Sequence, residues 1–128
     1  MDGWRNGGYN GPRSDKENDM KVSHPGERPR IVVISGSTRF HREMHAIVER
    51  ETLAGRIVLV VGNDKRSDDE MGLTEECRQS MLCLHRHKID LADEMLVVNV
   101  GGYVGEATAS EIAYAEKLGK PVRYEYEQ

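Results

Sequence analysis

The stretch TASEIAYA, residues 108–115, places a carboxylate where an apolar side chain is expected. Wound as a helix at about 100° per residue, it puts Thr108, Ile112, Tyr114, Ala115 and Leu118 on one side. Ser110, Glu116, Lys117 and Lys120 fall on the other. Glu111 lands inside the apolar arc, between Ala115 and Leu118. A carboxylate is seldom buried without a partner or a task. Thr108-x-x-Glu111 also fits a capping box, in which the glutamate reaches back to the N-cap amide. Both readings stand on these residues alone.

Other candidates gather ahead of this helix. The segment SGSTRF, residues 35–40, offers Gly36 for close backbone approach and the hydroxyls of Ser37 and Thr38. A helix beginning near Arg39 would turn free amides and its positive end toward a ligand. Arg39 itself carries a planar fork suited to phosphate. The loop is neither GxxxxGK[ST] nor a complete GxGxxG, and a tight turn with a capping serine is the alternative. The segment NVGGYVG, residues 99–105, brings Asn99, three glycines (Gly101, Gly102, Gly105) and Tyr103, which offers a hydroxyl or a stacking face. Thr108 and Ser110 fall in the first turn of the helix that follows. Farther back, HRHKIDLAD directs His85 and Lys88 to the same side as Met81, Ile89 and Ala92, with Asp93 ending the helix. A core histidine without chemistry is the alternative for His85. His41 and His45 have the i, i+4 spacing of a metal pair, but no third ligand accompanies them, and a solvated helix face is the better reading.

The elements that must position these groups are legible from periodicity. RIVVIS, RIVLVVG and EMLVVNVGG are short aliphatic runs of the kind buried on both faces of a parallel sheet, and KPVRYEY closes the series. Between them, RFHREMHAIVERETLAG carries Phe40, Met44, Ile47 and Val48 at helical spacing, with Gly55 as its C-terminal cap. TEECRQSMLCLHRHKIDLA is a second helix and the Glu111 segment a third. Strand and helix alternate four times, which predicts an α/β doubly wound parallel sheet of four to five strands, a flavodoxin- or Rossmann-like three-layer sandwich over residues 30–128. Such sheets bind ligands beyond the carboxyl ends of their strands, at the switch in strand order. That rule nominates the loops after Ser35, after Gly62 and after Val100.

Residues 1–29 are rich in Gly, Pro, Asn and charge and nearly free of aliphatics, so a flexible tail is expected, in which Trp4 or Tyr9 could dock on a partner. A chain of 128 residues is read as one folded domain. A net charge of −4 gives no basic field for a nucleic acid polymer. No apolar run is long enough for a membrane span and no signal-peptide pattern is seen. Cys77 and Cys83 form no CxxC, so reduced thiols in a cytoplasmic protein are expected.

With SGSTRF after the first strand, HKIDLAD before the third and ASEIAYAEKLGKP near the end, the chain resembles the nucleoside 2-deoxyribosyltransferase superfamily. That group includes 2′-deoxynucleoside 5′-phosphate N-hydrolases and cytidine monophosphate hydrolases. The match spans Arg30 to about Tyr124. The resemblance implies that Glu111 attacks the anomeric carbon of the sugar and that Ser37 and Arg39 receive a 5′-phosphate. His85 stands where the family commonly has an aspartate near the departing base. Cleaving an N-glycosidic bond develops oxocarbenium character, which a carboxylate below the ring stabilises and can trap covalently. His85 could protonate the leaving base. Glu111 needs a hydroxyl or amide partner to act as nucleophile, and Tyr103 is the candidate. The expected ligand is a nucleoside or nucleotide, no metal or organic cofactor is required, and a homodimer or higher homo-oligomer is implied. The rival is a non-catalytic nucleotide-binding or sensor module of the same fold; a flavodoxin-like interaction domain without ligand is the third reading.

Overall fold

The computed structural model describes residues 26–61, 72 and 74–128. Of the expected tail, residues 1–25, with Trp4 and Tyr9, lie outside the described residues, as does the candidate loop after Gly62. The described chain alternates strand and helix: β1 (Ile31–Gly36), a 3₁₀ turn (Thr38–Phe40), α1 (His41–Leu53), β2 (Ile57–Val61), α2 (Glu75–Leu91), β3 (Glu94–Val98), a second 3₁₀ turn (Val100–Gly102), α3 (Glu106–Lys117) and β4 (Val122–Tyr124). All four strands are parallel, in the order β2-β1-β3-β4. This is the α/β doubly wound sandwich expected, at the lower end of the expected strand number. None of the described helices is long and apolar enough to cross a membrane.

The two-residue period of the strands divides the core in two. Val33, Val61, Met95 and Val97 point to one face, where they meet Ile89 and Ala92 at the end of α2 and Ile112 and Ala115 of α3. Val32, Ile34, Leu96 and Val98 point to the other, against Met44 and Ile47 of α1. β1 and β3 lie between neighbours on both sides and are buried almost throughout, which is why their sequences read as continuous aliphatic runs. Ser35 has the parity of Val33. Its side chain therefore faces α2 and α3.

Local signals end the helices where expected. Gly55 follows α1 at φ 90°, a left-handed conformation open to glycine. Thr74 caps α2, its Oγ1 accepting from the Cys77 amide at 3.1 Å. At the other end of α2, Lys120 donates to the carbonyls of Asp90 and Ala92 at 3.1 and 2.7 Å. Leu118, placed in the apolar arc by helical winding, is instead the C-cap of α3 and 42% exposed.

Two polar features fasten the sheet. Asp93 accepts both guanidinium nitrogens of Arg28 and the amide of Ile31 at the start of β1. Glu51 of α1 is buried, yet it is met by Arg50, Arg56 and Arg123 at 2.9, 3.2 and 3.0 Å. Burial pushes its carboxyl up, but the hydrogen bonds of Arg50 and the charges of Arg123 and Arg56 outweigh this and hold it below the usual range. Arg123 has the parity of Leu96, so this network covers the edge of the sheet that α1 leaves bare.

Gly36 is fixed by the sheet itself. A Cβ there would stand 3.0 Å from the Val98 carbonyl oxygen and 3.1 Å from Val98 Cβ. Gly36→Ala is expected to destabilise the fold by about 1–3 kcal/mol, read as a lower urea midpoint at unchanged slope. A second expectation concerns acid. The hydrogen bonds of Arg28, then that of the Ile31 amide, hold the Asp93 carboxyl well below the ordinary 3.8. A depressed carboxyl contributes stability that is complete above the ordinary value and fades as pH falls below it. Asp93→Asn should lower the melting temperature at pH 7 and flatten its decline below about pH 4.

Candidate functional site

β1 has β2 on one side and β3 on the other, so the chain leaves the ends of β1 and β3 in different directions. The crevice opened there is where ligands sit in such sheets. After Gly36 the chain turns at Ser37, whose Oγ accepts the Arg39 amide at 3.3 Å and caps the short 3₁₀ turn. After β3 it turns through Gly101 and Gly102, at φ 65° and 83°. Gly105 is the N-cap of α3 and brings no side chain to cap it. The first amides of α3 are thereby left open toward the crevice.

A hollow of about 330 Å³ occupies this place. Gly36, Ser37 and Thr38 form one wall, and Leu82 and His85 of α2 another. Tyr103 and Gly105 close it from the loop, and Glu106, Ala107, Thr108 and Glu111 from α3. A smaller hollow of about 80 Å³ adjoins it, sharing Leu82, His85, Ala107 and Glu111 and adding Arg86, Ser110 and Tyr114. Glu111 thus stands between the two.

The surroundings of Glu111 decide its role in the fold. Ser35 Oγ donates to Glu111 Oε1 at 2.5 Å. Oε2 lies 3.7 Å from His85 Nδ1, beyond hydrogen-bond distance but close enough for charge to be felt. The two side chains are 13% and 15% exposed, and Ser35 is fully buried. α3 begins at Glu106, so Thr108 lies within its first turn and cannot be its N-cap. The capping-box alternative is excluded, and the apolar-arc reading of Glu111 holds.

Other expected residues take different places. The partner of Glu111 is Ser35, where Tyr103 was expected. The Tyr103 hydroxyl accepts from Arg39 Nη2 at 3.3 Å, and the Arg39 guanidinium stacks 4.0 Å above its ring. Phe40 meets the same ring edge-on at 5.9 Å. Arg39 therefore reaches the hollow only through Tyr103, and it is not among the lining residues. Gly102 shapes the loop without lining the hollow. Ser110 lines the smaller hollow only. Asn99 does not line the hollow: its buried amide donates to the Tyr126 carbonyl at 3.0 Å and accepts the Tyr126 amide at 2.9 Å. A buried amide with both ends satisfied by main chain is structural. Lys88, read as inward, donates to the Val60 carbonyl.

Four residues at the site were not singled out by sequence reading: Ser35, Leu82, Glu106 and Ala107. For Ser35 a signal existed, a hydroxyl at the inward-facing end of an otherwise aliphatic strand. His41 and His45 flank a separate hollow of about 170 Å³ with Met44, Val48 and Val60. Among the described residues no cluster of three or more His, Cys, Asp or Glu could hold a metal ion. Cys77 and Cys83 are free and exposed.

No protein-family model, no curated protein and no solved structure matches this chain.

The Ser35–Glu111 bond is measurable without any ligand. A double-mutant cycle of Ser35→Ala and Glu111→Ala by urea denaturation should give a coupling of about 1.5–3 kcal/mol, as for a buried hydrogen bond to a charged group.

Proposed function

We propose that this domain cleaves or transfers the N-glycosidic bond of a nucleoside or nucleoside 5′-monophosphate, with Glu111 as the nucleophile. The observation that carries this reading is the Glu111 carboxylate, anchored at one oxygen and facing a hollow at the switch point of the sheet. The volume of about 330 Å³ lies at the small end of ligand sites, within reach of a nucleoside. The likeness of SGSTRF, HKIDLAD and ASEIAYAEKLGKP to the nucleoside 2-deoxyribosyltransferase superfamily supports the same chemistry.

In this reading the sugar lies over Glu111 with its 5′ end toward Ser37, Thr38 and the open amides of α3. A 5′-phosphate there would gain from the helix end and draw Arg39 inward, against repulsion from Glu106. The free electron pair of Glu111 Oε2 meets the anomeric carbon as the bond to the base lengthens, stabilising the oxocarbenium charge. His85, on the neighbouring wall from α2, delivers a proton to the departing base. Water then releases the sugar, or a second base takes it in transfer. The free thiols fit a reducing, cytoplasmic setting, and the family likeness implies a homodimer or larger assembly.

One observation favours a second reading, in which nucleotide is bound without chemistry. His85 Nδ1 lies 3.7 Å from Glu111 Oε2, so a charged imidazole would neutralise the attacking oxygen.

Incubation with a panel of nucleosides and monophosphates, followed by chromatography of free base, separates the two. Glycosidase action predicts base release that falls about 10³-fold or more in Glu111→Gln and about 10²-fold in His85→Asn. Tight nucleotide binding by calorimetry with no base released, or full turnover in Glu111→Gln, would reject the mechanism.

A further inference from the structure

Resting on that reading, we infer that Ser35 is the positioning residue of the reaction: it anchors Glu111 Oε1, leaves Oε2 to attack, and assists release of the sugar in the second step. Ser35 follows Val32, Val33 and Ile34 in β1 and, like them, is fully buried. A hydroxyl costs free energy in such a place unless it is hydrogen-bonded. Strand parity turns it toward α3, and a carboxylate accepts, so the hydroxyl proton is directed at Oε1. Ser35 is carried by the central pairing of the sheet, with β2 at Val61 and β3 at Val97 as its register partners. The anchor is therefore as rigid as the core. Oε2, the oxygen without this bond, is the one beside His85.

The two steps use the bond differently. In the first, a lone pair of Oε2 forms the bond to the anomeric carbon. The electron pair of the C–N bond leaves with the base, which takes the proton from His85. Glu111 becomes a neutral ester, and Oε1 becomes a carbonyl oxygen, a weaker acceptor for Ser35. In the second, water oxygen bonds to the anomeric carbon, its proton passes to His85, and the C–Oε2 pair returns to the carboxylate. The Ser35 bond strengthens as that charge reappears. A hydrogen bond that tightens toward the transition state accelerates the step in which it tightens. In the first step the bond holds the carboxylate in place but also stabilises it before attack, and these effects oppose one another.

Steady-state kinetics and intact-protein mass spectrometry of Ser35→Ala test this, using the best substrate of the wild-type chain. The expected result is a kcat lowered about tenfold to a hundredfold with kcat/KM within about threefold, and a sugar adduct accumulating on the protein. Should Ser35→Ala fail to fold, Ser35→Cys, a buried thiol that donates weakly, is read in the same way with a smaller split. Equal losses in kcat and kcat/KM without an adduct, or wild-type kinetics, in a chain that Glu111→Gln inactivates, overturn the role of Ser35 alone. A wild-type chain that releases no base, or a fully active Glu111→Gln, overturns the glycosidase reading and this inference with it.

Discussion

Glu111 is a carboxylate set on the buried side of a helix that packs against the sheet, and such a group costs free energy unless a donor meets it. The donor comes from β1, 76 residues earlier in the chain. That pairing requires β1 to run in one register, α3 to lie on one face, and the strand to end one residue after the hydroxyl. Gly36 makes the register possible, because Val98, its partner in β3, occupies the space where a side chain would be. The site thus inherits its geometry from the most buried part of the molecule.

The same strand order that buries β1 also opens the hollow. β1 pairs with β2 on one side and β3 on the other, so two loops part at its end and neither covers the gap. Ser37 and Thr38 come from one loop, Tyr103 and Gly105 from the other, and α2 supplies His85 from above the shared face. Arg39 stacked on Tyr103 ties the two loops together across the opening. An exposed stack of this kind contributes only about 0.5–1 kcal/mol, so it can yield to a ligand that offers more.

What was legible in the sequence follows from range. The strands and helices announced themselves because hydrophobic period is local, and Gly55 marked the end of α1 by a local rule. Glu111 stood out because one charged residue broke a helical period. Its partner was missed, since the hydroxyl that ends the aliphatic run of β1 gains meaning only when it is known which strand face α3 covers. Asn99 misled for a similar reason: a strand-end asparagine beside glycines looks available until the backbone of Tyr126 is found bonded to both ends of its amide. Glu51 gave no local sign at all, because its three arginines come partly from β4, 72 residues away in the case of Arg123.

The Asn99 clasp has a mechanical corollary. Together with the Glu125 amide donating to the Val97 carbonyl, it stitches residues 125–126 onto the end of β3. Tension on the chain beyond Tyr126 is borne by Asn99, four positions ahead of the tyrosine that walls the hollow. A pull on the last residues of the chain is thereby passed over a short segment to the mouth of the hollow.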